Sequence, residues 1–88
     1  MSLRILGAQD DVAERLRAAI TDALPGAAVE VRAGGAGHFE LRVVAEEFRG
    51  RSRLQQHQLV YRAIAPLMAG DGAPVHAVDQ LVTELPPS

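Results

Sequence analysis

Two short runs of alternating residues, joined by a glycine-rich link, constrain the fold more than any other feature of this sequence. Apolar and polar residues alternate over residues 28–32 and again over 38–45, as they do in strands with one buried face. A short glycine-rich link between two such runs, here residues 34–37, is typical of a hairpin. We therefore expect an antiparallel β-hairpin. Its inward side chains are expected to be Val29, Val31, Phe39, Leu41 and Val43.

Apolar residues at helical spacing predict a first helix over residues 9–24. Gln9 or Asp10 is its predicted N-cap. Pro25 and Gly26 end it, because the chain cannot continue a helix through that pair. The buried stripe of this helix is expected to consist of Val12, Leu16, Ala19, Ile20 and Leu24.

A capping box predicts the start of a second helix, from about residue 53 to 69. The hydroxyl of Ser52 would accept a hydrogen bond from the amide of Gln55, whose side chain would accept one from the amide of Ser52. Pro66 predicts a kink or break near Ala65, because proline lacks the amide donor that a helix needs. The inner face is expected to consist of His57, Val60, Tyr61, Ile64, Leu67 and Met68.

Residues 75–83 are rich in β-branched side chains and predict a third strand. Phe48, a lone aromatic residue in a polar stretch, is expected to fill the core from a turn. The helix between the second and third strands requires a crossover connection. We therefore predict an α+β fold of order α-β-β-α-β, a three-stranded mixed sheet with both helices on one face. We expect the 88 residues to form one domain, with a core of about residues 9–86.

Composition excludes several classes of site. The chain has no cysteine, which excludes disulfides, zinc–thiolate sites and cysteine nucleophiles. A formal net charge of −2 argues against a general nucleic-acid binder. No apolar run approaches the ~20 residues of a membrane span, and the N-terminus lacks the pattern of a signal peptide. We therefore expect a cytoplasmic protein that does not bind membranes.

Catalysis is not expected, because no catalytic set of residues is recognisable. The three serines are Ser2, Ser52 and Ser88, and Ser52 is committed to the helix cap. No pair of carboxylates has a spacing that forces the two groups to converge. The sequence therefore predicts a protein that is not an enzyme.

The loop between the first two strands consists of Gly34, Gly35, Ala36 and Gly37. A phosphate-binding loop would have to lead from a strand into a helix, whereas this loop joins two strands. The same letters match the G-x-x-G loop of KH domains, but that loop joins two helices. We therefore interpret this segment as a flexible hairpin turn.

Three histidines are the side chains that could bind a transition metal or titrate near neutrality. His38 and His57 are interpreted first as packed or surface residues, because one chain without thiols and with dispersed histidines rarely completes a metal site. His76 differs, since it begins the last strand after a glycine-rich loop, at the rim of the sheet. One of its ring nitrogens could remain free for a ligand.

Arg49, Arg51 and Arg53 crowd the start of the second helix. Their charge adds to the helix dipole, which predicts an anion or nucleic-acid site. An ordinary solvated cluster, paired with Glu46 and Glu47, is an equally good interpretation.

Several short motifs, spread over about residues 9–86, resemble those of the BolA-like family in order and spacing. They are His38-Phe39, Phe48-Arg49-Gly50, Leu54, Gln56-His57, Val60-Tyr61, His76-Ala77-Val78, Thr83 and Pro86. The resemblance implies an α-β-β-α-β fold like a type II KH domain. It also implies a non-enzymatic partner of a monothiol glutaredoxin.

In such pairs a [2Fe-2S] cluster is shared between the two proteins, so none is expected on the isolated chain. The resemblance implies that His76 is a cluster ligand and that a second ligand comes from the loop between the first two strands. Residues 34–37 contain neither cysteine nor histidine, which leaves His38 as the nearest, weaker candidate. A site with His76 alone, or docking without a cluster, are the alternatives.

The family resemblance also implies a DNA-binding regulator, with the second helix and its three arginines approaching the phosphates. That alternative predicts a steep dependence of affinity on salt. A protein contact through the sheet edge without metal, and a weak homodimer, are further alternatives.

Overall fold

The computed structural model describes residues 7–87, with side chains from residue 11 onward. Its elements follow the expected α-β-β-α-β order, with one short 3-10 helix before the second α-helix. They are α1 (Gly7–Ala23), β1 (Ala28–Ala33), β2 (His38–Val44), the 3-10 helix (Glu46–Phe48), α2 (Arg53–Met68) and β3 (Ala77–Glu84).

The three strands form one mixed sheet with β2 in the centre. β1 and β2 are antiparallel, with Val31 opposite Leu41, as the hairpin prediction requires. β2 and β3 are parallel, with Leu41 opposite Leu81. Because parallel strands need a crossover, α2 carries the chain from one end of the sheet back to the other. The predicted mixed sheet is confirmed.

Both helices pack on one face of this sheet, as expected. The core cluster combines residues of both helices with the inward side chains of β2. Its members are Leu16, Ile20, Leu24, Phe39, Leu41, Val43, Ala45, Phe48, Val60, Ile64, Leu67 and Val75. The opposite face of the sheet is charged: Arg42 on β2 lies between Glu30 of β1 and Glu84 of β3. One apolar face and one charged face are what the alternation predicted.

The turn before α2 is fastened to the sheet by one side chain. Phe48 is fully buried at the end of the 3-10 helix, which confirms its predicted role. The Gln56 side-chain amide donates to the carbonyls of Phe48 (3.3 Å) and Arg51 (3.1 Å). The hydroxyl of Thr83, on β3, donates to the Gln56 side-chain oxygen at 2.6 Å. Gln56 therefore links the turn, α2 and β3.

The predicted start of α2 is confirmed, whereas the predicted N-cap of α1 is wrong. The capping box is confirmed: the amide of Gln55 donates to the Ser52 hydroxyl (3.1 Å), and the amide of Ser52 donates to the Gln55 side chain (3.0 Å). The described part of α1 begins at Gly7, so Gln9 and Asp10 lie inside the helix and not at its cap. The side chains of these two residues lie outside the described part.

Two expectations for α2 were wrong: a break near Ala65, one of the two alternatives given for Pro66, and a buried Tyr61. The helix runs through Pro66 to Met68 without a break. Pro66 and Arg62 are exposed, so water can bond the Arg62 carbonyl that the proline leaves without its usual donor. Tyr61 is 39% exposed, whereas its neighbour Val60 is fully buried. Consecutive helical residues point about 100° apart, which places Tyr61 at the margin of the buried stripe.

The third strand begins at Ala77, two residues later than expected. Val75 is buried in the approach to the strand, and its amide donates to the carbonyl of Leu67 at 3.1 Å. His76 therefore precedes β3 and does not belong to it.

We predict that Ser52→Ala lowers the free energy of unfolding by about 1 kcal/mol, the usual cost of losing an N-cap side chain. Urea denaturation would measure this loss. Gln58→Ala, an exposed change on the same helix, should stay within about 0.5 kcal/mol of the parent chain. Equal midpoints for the Ser52→Ala variant and the parent chain would show that the capping box does not stabilise α2.

Candidate functional site

The parallel pairing of β2 and β3 brings separate sequence motifs to one end of the sheet. The first residue of β2, His38, lies opposite Ala77, the first residue of β3. The 34–37 loop directly precedes β2, and His76 directly precedes β3. The loop and two of the predicted site histidines therefore meet at the same rim.

Gly37 is in direct contact with His76. The carbonyl of Gly37 accepts hydrogen bonds from the amides of His76 (2.8 Å) and Ala77 (3.1 Å). Gly37 is buried and has φ +77°, a conformation that favours glycine. A Cβ atom built on Gly37 would lie 2.8 Å from Cγ of His76, so the imidazole packs directly against this backbone.

The ring of His76 is otherwise open to its surroundings. His76 is exposed. Of the three histidines, only His38 forms a side-chain hydrogen bond within the described residues. The ligand role that the sequence predicts for a ring nitrogen of His76 stays a prediction.

His38 is the first residue of β2, and its side chain has a hydrogen-bond partner on β3. Its Nδ1 is 3.1 Å from Oδ1 of Asp79, and both side chains are about half exposed. The register between β2 and β3 shifts after Phe39, which lies opposite Val78, while Glu40 lies opposite Gln80. Asp79 is therefore left without a strand partner, as happens at a β-bulge.

The carboxylate of Asp79 was missed by the sequence-based prediction. In the tautomer that carries its hydrogen on Nδ1, His38 donates to Asp79 and keeps Nε2 available for a ligand. The contact between Asp79 and His38 depends on a one-residue irregularity in the pairing of β3 with β2. The two residues are 41 positions apart in the sequence, so local spacing does not reveal the pair.

The donors at this rim do not form a closed metal site. Among residues 11–87, no group of three or more His, Asp or Glu side chains is placed to hold one metal ion. The described residues alone therefore do not supply three such ligands to one metal ion. Exposed imidazoles do fit a metal group whose other ligands come from a second molecule.

The third histidine, His57, lies on α2 and is half-buried. Its Nε2 is buried, without a hydrogen-bond partner in the described part of the chain. It does not belong to the rim of His38 and His76.

The arginine cluster is partly neutralised by its neighbours. Arg49 donates two hydrogen bonds to the Glu46 carboxylate, at 2.5 and 3.1 Å. This hydrogen bonding, followed by charge attraction, lowers the pKa of Glu46 and raises the pKa of Arg49. Arg51 donates to the carbonyl of Glu47 at 3.0 Å. Arg51 and Arg53 form no ion pair with the described carboxylates.

The uncovered face of the sheet carries an open groove of about 340 Å³. Its lining is Glu30, Val31, Arg32, Glu40, Leu41, Arg42, Gln80 and Val82. The charged residues of this lining already pair across strands, because Arg42 bonds Glu30 and Arg32 lies 3.9 Å from Glu40. The groove includes neither rim histidine. No helix in the described part of the chain is long and apolar enough to cross a membrane.

The family model described as BolA-like protein matches residues 16–84. The chain belongs to the BolA-like family. BolA-like protein 1 of Pongo abelii is 35% identical over 81 residues, which cover 82% of this chain and 57% of the relative. BolA-like protein 1 of Mus musculus is 46% identical over 48 residues, 54% of this chain and 33% of the relative. This BolA-like chain thus spans about a third to just over half of these curated relatives.

Solved structures agree with the BolA-like fold. The solution structure of BolA1 from Mus musculus superimposes with a TM-score of 0.68 at 33% identity, over 85% of this chain and 65% of that one. The XC975 protein gives a TM-score of 0.57 at 40% identity, over 84% and 88%. The BolA domain of SufE1 from Arabidopsis thaliana, at 23% identity and a TM-score of 0.67, shows the fold alone. It covers 97% of this chain and 96% of that domain.

We predict that Arg49→Gln raises the pKa of Glu46 toward its ordinary value, because the change removes the main donor to that carboxylate. A pH titration of the Glu46 side-chain carbon by NMR would measure the shift. Arg51→Gln is the matched control, since Arg51 bonds a carbonyl and not this carboxylate. Equal Glu46 titration curves for Arg49→Gln and the parent chain would contradict the assignment.

Proposed function

We propose that this BolA-like protein is a non-enzymatic adaptor that binds a monothiol glutaredoxin. The two proteins would share a [2Fe-2S] cluster, in iron–sulfur cluster trafficking or in iron or redox regulation. The observation that carries the proposal is an exposed His76 whose ring has no hydrogen-bond partner among the described residues. It stands at a rim where the described residues form no closed metal site.

The ligand atoms of this chain favour a metal cluster shared with a second protein over one held by this chain alone. Imidazole is a suitable ligand for iron, but this chain has no thiolate to add to it. A glutaredoxin would supply its cysteine and the thiolate of bound glutathione. Bound in this way, the cluster would provide one-electron redox chemistry, and an imidazole in place of a thiolate raises its reduction potential.

Residues of this chain at the rim would have different roles in binding the cluster. His76 is the proposed first ligand. His38 is the second candidate, and Asp79 would hold its ring with Nε2 free, as carboxylates do for metal-bound histidines. Residues 34–36 of the loop are exposed and carry no side chain larger than a methyl group, so a partner can approach this part of the backbone closely.

We predict that His76→Ala, co-expressed with a monothiol glutaredoxin, loses the visible circular dichroism of a cluster shared through imidazole. Iron analysis of the copurified pair would accompany the spectrum. His38→Ala tests the second ligand, and its spectrum should change less if His76 acts alone. A cluster spectrum unchanged by His76→Ala would refute the role of His76.

DNA binding is the second candidate function. It is favoured by Arg51 and Arg53, two guanidinium groups without a carboxylate partner in the described part, at the exposed start of α2. The pairing of Arg49 with Glu46 and the net charge of −2 weigh against it.

If DNA is bound, the affinity for a labelled duplex should fall with salt, with a log–log slope of about −0.9 per phosphate contacted. Changing Arg51 and Arg53 to glutamine should reduce that slope by roughly one for each phosphate that the variant no longer binds. Affinity that does not depend on salt, or a slope that the double variant leaves unchanged, would rule this function out.

A further inference from the structure

We infer that Gly37 is a positioning residue for His76: the bare backbone of Gly37 fixes where the imidazole lies. This inference deepens the proposed function, on which the importance of His76 rests. It gives the 34–37 loop a role that does not require a ligand in the loop itself.

Three contacts join Gly37 to the segment of His76 and Ala77. The Gly37 carbonyl accepts the amide hydrogens of His76 and of the next residue, Ala77, which anchors the backbone on both sides of the histidine. The imidazole ring then lies against the Gly37 backbone. A Cβ built on Gly37 would be 2.8, 3.0 and 3.1 Å from Cγ, Nδ1 and Cδ2 of His76. Three ring atoms at similar distances indicate that one side of the ring faces this position.

The ring cannot keep this position beside any other residue. A contact of 2.8 Å is shorter than real Cβ atoms make, so a methyl group on Gly37 forces the ring to move. The atom in closest contact is Cγ, at the base of the ring, so rotating the far end of the side chain does not relieve the clash. The whole ring must turn about the Cα–Cβ bond of His76.

The other glycines of the chain provide matched controls. Gly50 has nearly the same φ angle, +78° against +77° for Gly37, but a Cβ on Gly50 meets nothing within 4 Å. Gly35 lies in the same loop, and its Cβ position is also open. Gly50→Ala therefore reproduces the backbone strain, and Gly35→Ala reproduces the loop substitution, each without the ring contact.

The direct test is the imidazole NMR signal of His76 in the isolated chain, recorded by long-range proton–nitrogen correlation. Gly37→Ala should shift this signal, while Gly50→Ala and Gly35→Ala should leave it in place. The ring of His57, on α2, serves as an internal reference. A His76 signal that stays in place in Gly37→Ala, or that moves equally in Gly50→Ala, would overturn the inference.

A double variant keeps the test valid if Gly37→Ala lowers stability. With His76→Ala as background, the ring is gone and only the strain at positive φ remains. Gly37→Ala should then shift the denaturation midpoint less than it does in the parent chain, and about as much as Gly50→Ala does. An equal midpoint shift in both backgrounds would show that the ring and Gly37 do not interact.

The shared cluster gives a separate readout. With a monothiol glutaredoxin present, Gly37→Ala should lower cluster retention about tenfold, as the loss of a group that orients a metal ligand commonly does. A moved NMR signal with unchanged cluster retention would confirm the position of His76 but refute its role as ligand. An unmoved NMR signal would refute the positioning role whether or not a cluster is shared.

Discussion

The parallel pairing of β2 with β3 is the constraint on which the rest of this structure depends. It requires α2 as a crossover, and it makes the two strands begin at the same rim. The pairing starts at a single carbonyl, that of Gly37, which accepts from His76 and from Ala77, the first residue of β3. At the far end Gln56 joins α2 to Thr83 of β3. Between these two connections, the core residues of both helices pack on one face of the sheet.

The same constraint separates the two surfaces that the sequence offered as sites. The histidine rim combines a ring without a hydrogen-bond partner among the described residues, His76, with a ring oriented by a carboxylate, His38. The arginine cluster lies before and at the start of α2, and its first member, Arg49, is paired with Glu46. Available ligand atoms at one surface and partial charge neutralisation at the other make the rim the better candidate. The proposed adaptor function follows from that difference.

Much of the fold could be predicted, because alternation over residues 28–45 and the capping box depend on local spacing. The expectations that were wrong concern residues whose burial or helical state is not decided by local spacing alone. Tyr61 sits at the edge of a helical stripe, where spacing alone does not decide burial. Pro66 is tolerated because its turn is exposed. At the site, the sequence named His76 but could not show how its ring packs on the loop. It also missed Asp79, whose position depends on a bulge in a long-range strand pairing.

The most direct test of the proposed site is the mapping of amide chemical shifts in the labelled chain as a monothiol glutaredoxin carrying a [2Fe-2S] cluster is added. We predict that signals change at residues 34–38 and 76–79, the two segments joined at the Gly37 carbonyl. Signals of residues 49–53, before and at the start of α2, should stay in place. Changes confined to residues 49–53, or no change at the rim, would contradict the assignment of the site.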